Sequence, residues 1–256
     1  MASPDKTARR VAFVTGASFG IGAASALALA RDGFDIAISA TCLANLDDTA
    51  GKLKQAGCRV AAVELDLCSQ QSIEDAFASA AKSLGQVDVL VNNAGVNLRK
   101  SALEVTPAEW DAVMRANAGG TFFLTQQFGR HLVGAGRPGC VINIASTHGM
   151  LGAAERSTYG ISKAAILQMT RMLAIEWAPH GIRVNAVAPG RVNTPSPSRA
   201  ATTSDPKYMQ AMADRVPLRR LATAEDVAGA VSYLASARGE FVTGQTLVID
   251  GGLSVY

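Results

Sequence analysis

Arg10-Val11-Ala12-Phe13-Val14-Thr15-Gly16-Ala17-Ser18-Phe19-Gly20-Ile21-Gly22 is the stretch that decides the fold. Arg10 to Thr15 is short and dominated by Val, Ala and Phe, and reads as a buried strand. Ala23 to Arg31 is rich in Ala and Leu and reads as a helix. Between them Gly16, Gly20 and Gly22 follow the spacing G-x-x-x-G-x-G. Such glycines let the backbone turn tightly and approach a pyrophosphate, which sits against the positive end of the helix. Ordinary strand-to-helix turns also use glycine, so the loop alone leaves both readings open.

The alternation continues along the chain. Strands are expected at Phe34–Ser39, Arg59–Leu65, Val87–Val91, Cys140–Ala145, Ile182–Val187 and Gln245–Ile249. Helices are expected over about Leu43–Gln55, Gln70–Lys82, Pro107–Leu132, the segment from Ser157 past Ile175, and Ala224–Ala235. No compositional break divides them. The expectation is one doubly wound α/β domain over 9–256, behind a loose polar tail at 1–8, with every candidate site at the carboxyl end of a strand. Residues 191–205 turn to Ser, Thr, Pro, Arg and Asn. With the amphipathic stretch Lys207–Arg215, they suggest a lid over about 191–220.

Composition narrows the function. The chain has 256 residues, 48% hydrophobic and 18% charged, a globular balance with ample core. A net charge of +3, without long basic runs, points away from nucleic acid. No apolar run reaches membrane-spanning length and no signal peptide is evident, so neither a membrane nor export is expected. Cys42, Cys58, Cys68 and Cys140 lack metal or disulfide spacing, and His131, His148 and His180 lie far from them in sequence. They are expected to be free, buried thiols in a reducing cytoplasm, with no metal site.

The chemistry is carried by Ser157-Thr158-Tyr159-Gly160-Ile161-Ser162-Lys163. Residues i and i+4 share a helix face, so Tyr159 and Lys163 project together. A free phenol has a pKa of about 10, and half-ionisation near neutrality requires roughly 4 kcal/mol. A positive charge about 4 Å away at an effective dielectric of about 20 supplies that amount. A chance surface pair has the same spacing, so the rest of the chain must decide.

Other strand ends add detail. Ser39-Ala40-Thr41-Cys42 carries neither acid nor base where a dinucleotide fold often places an acid. That omits the charge that would repel a 2′-phosphate, and small hydroxyls can bind one, a tilt towards NADP. Asp66 can accept from an adenine amino group or cap the next turn. Asn92-Asn93-Ala94-Gly95 suits a switch-point crevice, or equally an Asn-rich turn. His148 is a candidate for substrate contact or simple solvation, and Arg99, Arg156, Arg191 and Arg199 are candidates to attract an anion or to be solvated.

Taken in order, Thr15-Gly16, Gly20-Ile21-Gly22, Asn92 to Gly95, Asn117, Ser146, Tyr159-x-x-x-Lys163 and Pro189-Gly190 resemble the short-chain dehydrogenase/reductases, including 3-oxoacyl-carrier-protein reductases. The resemblance spans about residues 9–256. It implies a seven-stranded parallel Rossmann-type sheet with helices on both faces, and an NAD(P)-dependent oxidoreductase acting on a secondary alcohol or ketone. It further implies a catalytic tetrad of Asn117, Ser146, Tyr159 and Lys163, with Asn117 positioning a relay water. Cofactor contacts are implied for Gly16, Ser18, Phe19, Gly20, Ile21, Gly22, Thr41, Asp66, Leu67, Asn93, Ala94, Gly95, Tyr159, Lys163, Pro189, Gly190, Val192 and Thr194. A homotetramer or homodimer packed through the helices bearing Asn117 and Tyr159 is also implied. Phe19 stands where NADP-preferring members often carry a basic residue, which weakens the tilt. Two rivals remain at this stage: a 3-oxoacyl thioester reductase of lipid synthesis, and a non-catalytic dinucleotide-binding regulator.

Overall fold

The computed structural model describes residues 9–194 and 205–255. The polar tail at 1–8 and Arg199 lie outside the described residues, as does much of the first part of the expected lid. Seven parallel strands form one sheet: β1 (Val11–Thr15), β2 (Asp35–Ala40), β3 (Val60–Glu64), β4 (Val87–Asn92), β5 (Gly139–Ile144), β6 (Ile182–Pro189) and β7 (Thr246–Ile249). Their order is β3-β2-β1-β4-β5-β6-β7. The chain winds outward from β1 through β3, then returns beside β1 and winds the other way from β4. The reversal opens a crevice at the carboxyl ends of β1 and β4, where this class of sheet binds ligands.

Both faces are covered because the strand interiors are apolar on both sides. Ala12 and Val14, Ile36 and Ile38, and Val89 and Val91 face one cluster, with Leu29 of α1 (Gly20–Arg31) and Val227 and Val231 of α8 (Ala224–Ala235). Phe13, Ala37 and Leu90 face the other, with Ile73 and Phe77 of α3 (Gln70–Leu84) and Leu124, Phe128 and Leu132 of α5 (Thr121–Gly134). The i, i+4 spacing of Leu124, Phe128 and Leu132 puts them on one stripe of the helix. The remaining helices are α2 (Asp47–Gln55), α4 (Pro107–Met114), α6 (Ser157–Trp177) and α7 (Pro206–Ala213).

One expectation is refined and one corrected. The segment expected as a helix from Pro107 to about Leu132 is helical throughout, as α4, a π-helical turn at Arg115–Gly120, and α5. Gly120 in that turn presses on β3's exit: a Cβ there would lie 2.3 Å from the Leu67 carbonyl oxygen. Asn117 therefore sits on a widened turn, a feature frequent at functional sites. The thiols are not all buried. Cys58 and Cys140 are, whereas Cys42 and Cys68 are exposed, because each lies in the turn following a strand.

A polar chain crosses the core behind the site. Asn92 Nδ2 donates to Thr125 Oγ1 (2.7 Å) and to Asn143 Oδ1 (2.8 Å), and Asn143 Nδ2 donates to Thr170 Oγ1 (2.9 Å). This joins β4, β5, α5 and α6, so Asn92 serves the scaffold. Asn92→Ala would strand two buried acceptors, costing about 2–4 kcal/mol. Tm should fall by roughly 5–12 °C for a chain of this size; an unchanged thermal melt would refute the role given to this chain of amides and hydroxyls.

Candidate active site

The glycine loop and the loop after β4 lock together. Thr15 Oγ1 accepts from the backbone N–H of Asn93 and of Ala94, both at 3.0 Å. Asn93 Nδ2 donates back to the carbonyls of Thr15 and Gly16, each at 2.9 Å. Gly22 has no room for a side chain: a Cβ would stand 2.3 Å from Gly16 O and 2.5 Å from Asn93 Nδ2. Gly16 and Gly20 hold φ of +63° and +61°, conformations that L side chains rarely adopt. At the start of α1, Phe19 is extended, makes no side-chain cap, and no acid occupies the first turn. The loop thus leaves the positive end of a 12-residue helix open to an anion. These residues fit the pyrophosphate of a dinucleotide.

The four residues expected to form a tetrad come from three elements. Ser146, buried, follows β5, and its Oγ accepts from His148 N (3.2 Å), which caps the short turn Thr147–Gly149. Tyr159 and Lys163 rise from the first turns of α6. Lys163 is buried, donates from Nζ to Ile144 O (2.8 Å) and lies 5.8 Å from the centre of the Tyr159 ring. Asn117 is buried in the π-helical turn. Its Oδ1 accepts from Val96 N (2.7 Å), while Nδ2 donates to Val96 O (2.9 Å) and to Ser162 Oγ (2.9 Å). Ser162 in turn donates to Tyr159 O (2.7 Å). Asn117 and Ser162 therefore tie the loop after β4 to the helix carrying the phenol. Ser162 was missed as a site residue by sequence reasoning; its place between Tyr159 and Lys163 was the available signal.

Ser146, Tyr159 and Lys163 line one cleft of about 570 Å³ together with Ile21, Asn93, Gly95, His148, Pro189, Gly190, Val192 and Thr194. The His148 and Tyr159 rings meet edge-on at 6.2 Å. Thr194 closes over the glycine loop, its Cγ2 lying 3.2 Å from where a Gly20 Cβ would be. Tyr208, Met209 and Met212 of α7, from the amphipathic stretch expected in the lid, join the same cleft. Elsewhere the expectations separate. Asp66 is exposed, and its Oδ1 accepts from Cys68 N (2.8 Å), capping its own turn. Leu67 is buried in the core beneath Gly120. Ser18 accepts from Thr49 Oγ1 (3.4 Å), and Phe19 is exposed. Of the hydroxyls after β2, Thr41 is exposed, but Ser39 Oγ is buried without a partner and cannot meet a phosphate.

A doubly wound sheet with a glycine cradle at its switch point, and a serine, tyrosine and lysine at one end of the same cleft, defines a nucleotide-dependent oxidoreductase. Residues 16–254 match the family described as enoyl-(acyl carrier protein) reductase. The chain is 40% identical to cis-4-hydroxycyclohexanecarboxylate dehydrogenase of Sinomonas cyclohexanicum, over 96% of both chains. Among solved structures it superimposes on a protein described as a short-chain alcohol dehydrogenase from Sinorhizobium meliloti 1021, with a TM-score of 0.92, 35% identity and 97% of each chain covered. It also superimposes on a protein from Agrobacterium tumefaciens described as a 2-deoxy-D-gluconate 3-dehydrogenase with bound NADP, with a TM-score of 0.88, 34% identity and all of each chain covered. The chain belongs to the short-chain dehydrogenase/reductase family. It is an NAD(P)-dependent oxidoreductase of alcohols and ketones.

Burial pulls Lys163 down from its ordinary 10.5 to about 8, so the ammonium is still charged at neutral pH. A shift of this size corresponds to a folding penalty of about 3 kcal/mol. The penalty is full below about pH 8 and fades as pH rises towards the unfolded value, because only the unfolded chain keeps the proton in that window. Lys163→Met removes the penalty and loses the bond to Ile144 O and the weaker contact with the Tyr159 ring. The variant should be inactive yet melt a few degrees above the parent at pH 7, with the difference vanishing near pH 10. Equal melts at pH 7 would contradict a costly buried charge.

Proposed function

We propose that Tyr159 exchanges a proton with the oxygen of a secondary alcohol or ketone, with Ser146, Lys163 and Asn117 in support. The observation that carries this reading is the buried Lys163 ammonium, anchored on Ile144 O and set against the Tyr159 ring in the cleft that holds Ser146. When bound, the nicotinamide supplies or accepts the hydride at the carbinol carbon. Tyr159 gives its proton to the forming alkoxide, or takes it in the oxidative direction. Ser146 Oγ donates to the same oxygen and stabilises its charge. Lys163 lowers the cost of ionising the phenol. Both N–H groups of the Asn117 amide are committed, so a water on the route to Lys163 would take Oδ1 or the backbone carbonyl. Gly16 to Gly22, Asn93 to Gly95 and Pro189 to Thr194 would hold the cofactor, with Asp66 at the adenine end.

NADP is the preferred cofactor in this reading. No acid follows β2 to repel a 2′-phosphate, and Thr41 is exposed there; the solved relative from Agrobacterium carries NADP. Residues 191–220 would act as the lid, α7 bringing Tyr208, Met209 and Met212 over the substrate. The exposed apolar side chains Phe122 and Phe123 on α5, and Ile161, Met172 and Ile175 on α6, favour a dimer or tetramer packed through those helices. Four free thiols suit the cytoplasm. Among the described residues, no helix is long and apolar enough to cross a membrane.

The thioester-reductase reading draws on the matched family description and needs a basic docking patch near the lid, for which Arg215, Arg219 and Arg220 are the candidates; two of these are engaged. Arg220 pairs with Asp226 at 2.5 Å, and Arg219 donates to Asp214 O at 2.6 Å. A regulator without turnover would have no use for the assembled proton donor. Tyr159→Phe keeps the ring and removes the proton. It should lower kcat by at least about a thousandfold while NADPH binding, read by fluorescence, stays within about threefold. Retained turnover would exclude Tyr159 as the acid and base.

A further inference from the structure

We infer that Ser162 is a positioning residue for the reaction. Its buried hydroxyl, held by Asn117, fixes the turn that carries Tyr159 against the loop after β4, and without it hydride and proton transfer slow while binding is spared. This rests on the proposed oxidoreductase reading, in which Tyr159 is the acid and base.

The bonding of the hydroxyl is the first observation. Ser162 is fully buried, and its Oγ donates to Tyr159 O at 2.7 Å. Serines in helices often bond back to a carbonyl one turn earlier, so that contact alone would be ordinary. The other partner is not local. Oγ accepts at 2.9 Å from Nδ2 of Asn117, 45 residues earlier in the chain and on the π-helical turn. The same amide takes both backbone groups of Val96, at 2.7 and 2.9 Å. A chain of hydrogen bonds therefore runs from Val96, which lines the cleft, through Asn117 and Ser162 to the backbone of the phenol residue. Its direction is set. With both amide N–H groups spent, the hydroxyl accepts from Asn117 and aims its own proton at Tyr159 O. Each bond in such a chain polarises the next.

The start of α6 is the second observation. Arg156 at its N-cap supplies no side-chain cap, and no acid occupies the first turn. By contrast α3, α4, α7 and α8 open on caps from Ser69, Thr106, Asp205 and Thr223. A helix start without such a cap lacks one of its usual anchors. Tyr159 stands in that first turn. Lys163, one turn on, is tied to the sheet through Ile144 O. The Asn117–Ser162 link gives the Tyr159 end a tertiary anchor of its own.

Close packing is the third observation. A Cβ on Gly95 would lie 2.9 Å from Asn117 Oδ1 and 3.7 Å from Lys163 Nζ. The loop after β4, the amide and the ammonium are thus stacked in contact, and the hydroxyl sets the register of α6 upon them. Reaction rate is sensitive to such registers, because a misplacement of about 1 Å can cost roughly a hundredfold.

The test measures single-turnover oxidation of NADPH and NADH, and steady-state KM, on the full chain. The ketone is whichever of 4-oxocyclohexanecarboxylate, a keto sugar and a 3-oxoacyl thioester the parent reduces fastest. Ser162→Ala should slow hydride transfer roughly 10- to 100-fold, with KM for ketone and cofactor within about threefold of the parent. Ser162→Thr keeps the hydroxyl and should return the rate to within about threefold of the parent. Asn92→Ala, which strands the two acceptors behind the site, is the structural control. It should lower Tm at least as much as Ser162→Ala and leave the transfer rate within about threefold. An alanine variant as fast as the parent would overturn the inference. So would equal slowing in Ser162→Ala and Asn92→Ala, which would mean a merely structural effect, or a threonine variant no faster than the alanine one. Beside an inactive Tyr159→Phe enzyme, those outcomes would spare the oxidoreductase reading. An active Tyr159→Phe enzyme, or a parent that reduces none of the three compounds, would sink both.

Discussion

A buried ammonium is the constraint on which the rest of the site depends. Lys163 keeps its proton at neutral pH although burial lowers its pKa to about 8, and its Nζ rests on the Ile144 carbonyl. That carbonyl closes β5, so the charge is referenced to the sheet and not to a movable loop. The same helix turn presents Tyr159, and Ser146 enters from the residue beyond the strand end. Sheet, helix and loop thus meet at one point, and each supplies a group the others cannot.

The supporting contacts share that logic. Asn117 would be a poor choice inside a regular helix, and it does not sit in one. The π-helical turn lets its amide grip both backbone groups of Val96 and the hydroxyl of Ser162. Thr15 and Asn93 perform the corresponding service for the glycine loop. In both places, polar side chains fasten irregular backbone that no sheet ladder can hold. The deeper chain through Asn92 and Asn143 then fixes the strands to the helices behind it.

Burying so many polar groups is tolerable because nearly every one is paired. The exceptions among the described residues are the hydroxyls of Ser25 and Ser39 and the amide nitrogen of Gln86. Ser39 is instructive, since it lies in the last turn of β2's pleat, where a hydroxyl looked available to a phosphate. One further residue of strand encloses it and passes that place to Thr41.

Local pattern alone determined the strand and helix order, the glycine turn and the pairing of Tyr159 with Lys163. Apolar periodicity and i, i+4 spacing act over a few residues and are written directly in the chain. Family resemblance added Asn117 and Ser146, whose meeting with Tyr159 no local pattern shows. Only the tertiary structure decided that the long helix widens into a π-helical turn at Arg115–Gly120, where Gly120 packs closely on Leu67, some fifty residues earlier. Likewise it decided the enclosure of Ser39, the exposure of Cys42 and Cys68, and the linking of Asn97 to Arg156. Each of these depends on which distant segment arrives as a neighbour, and a packing contact between remote residues leaves no period in the sequence.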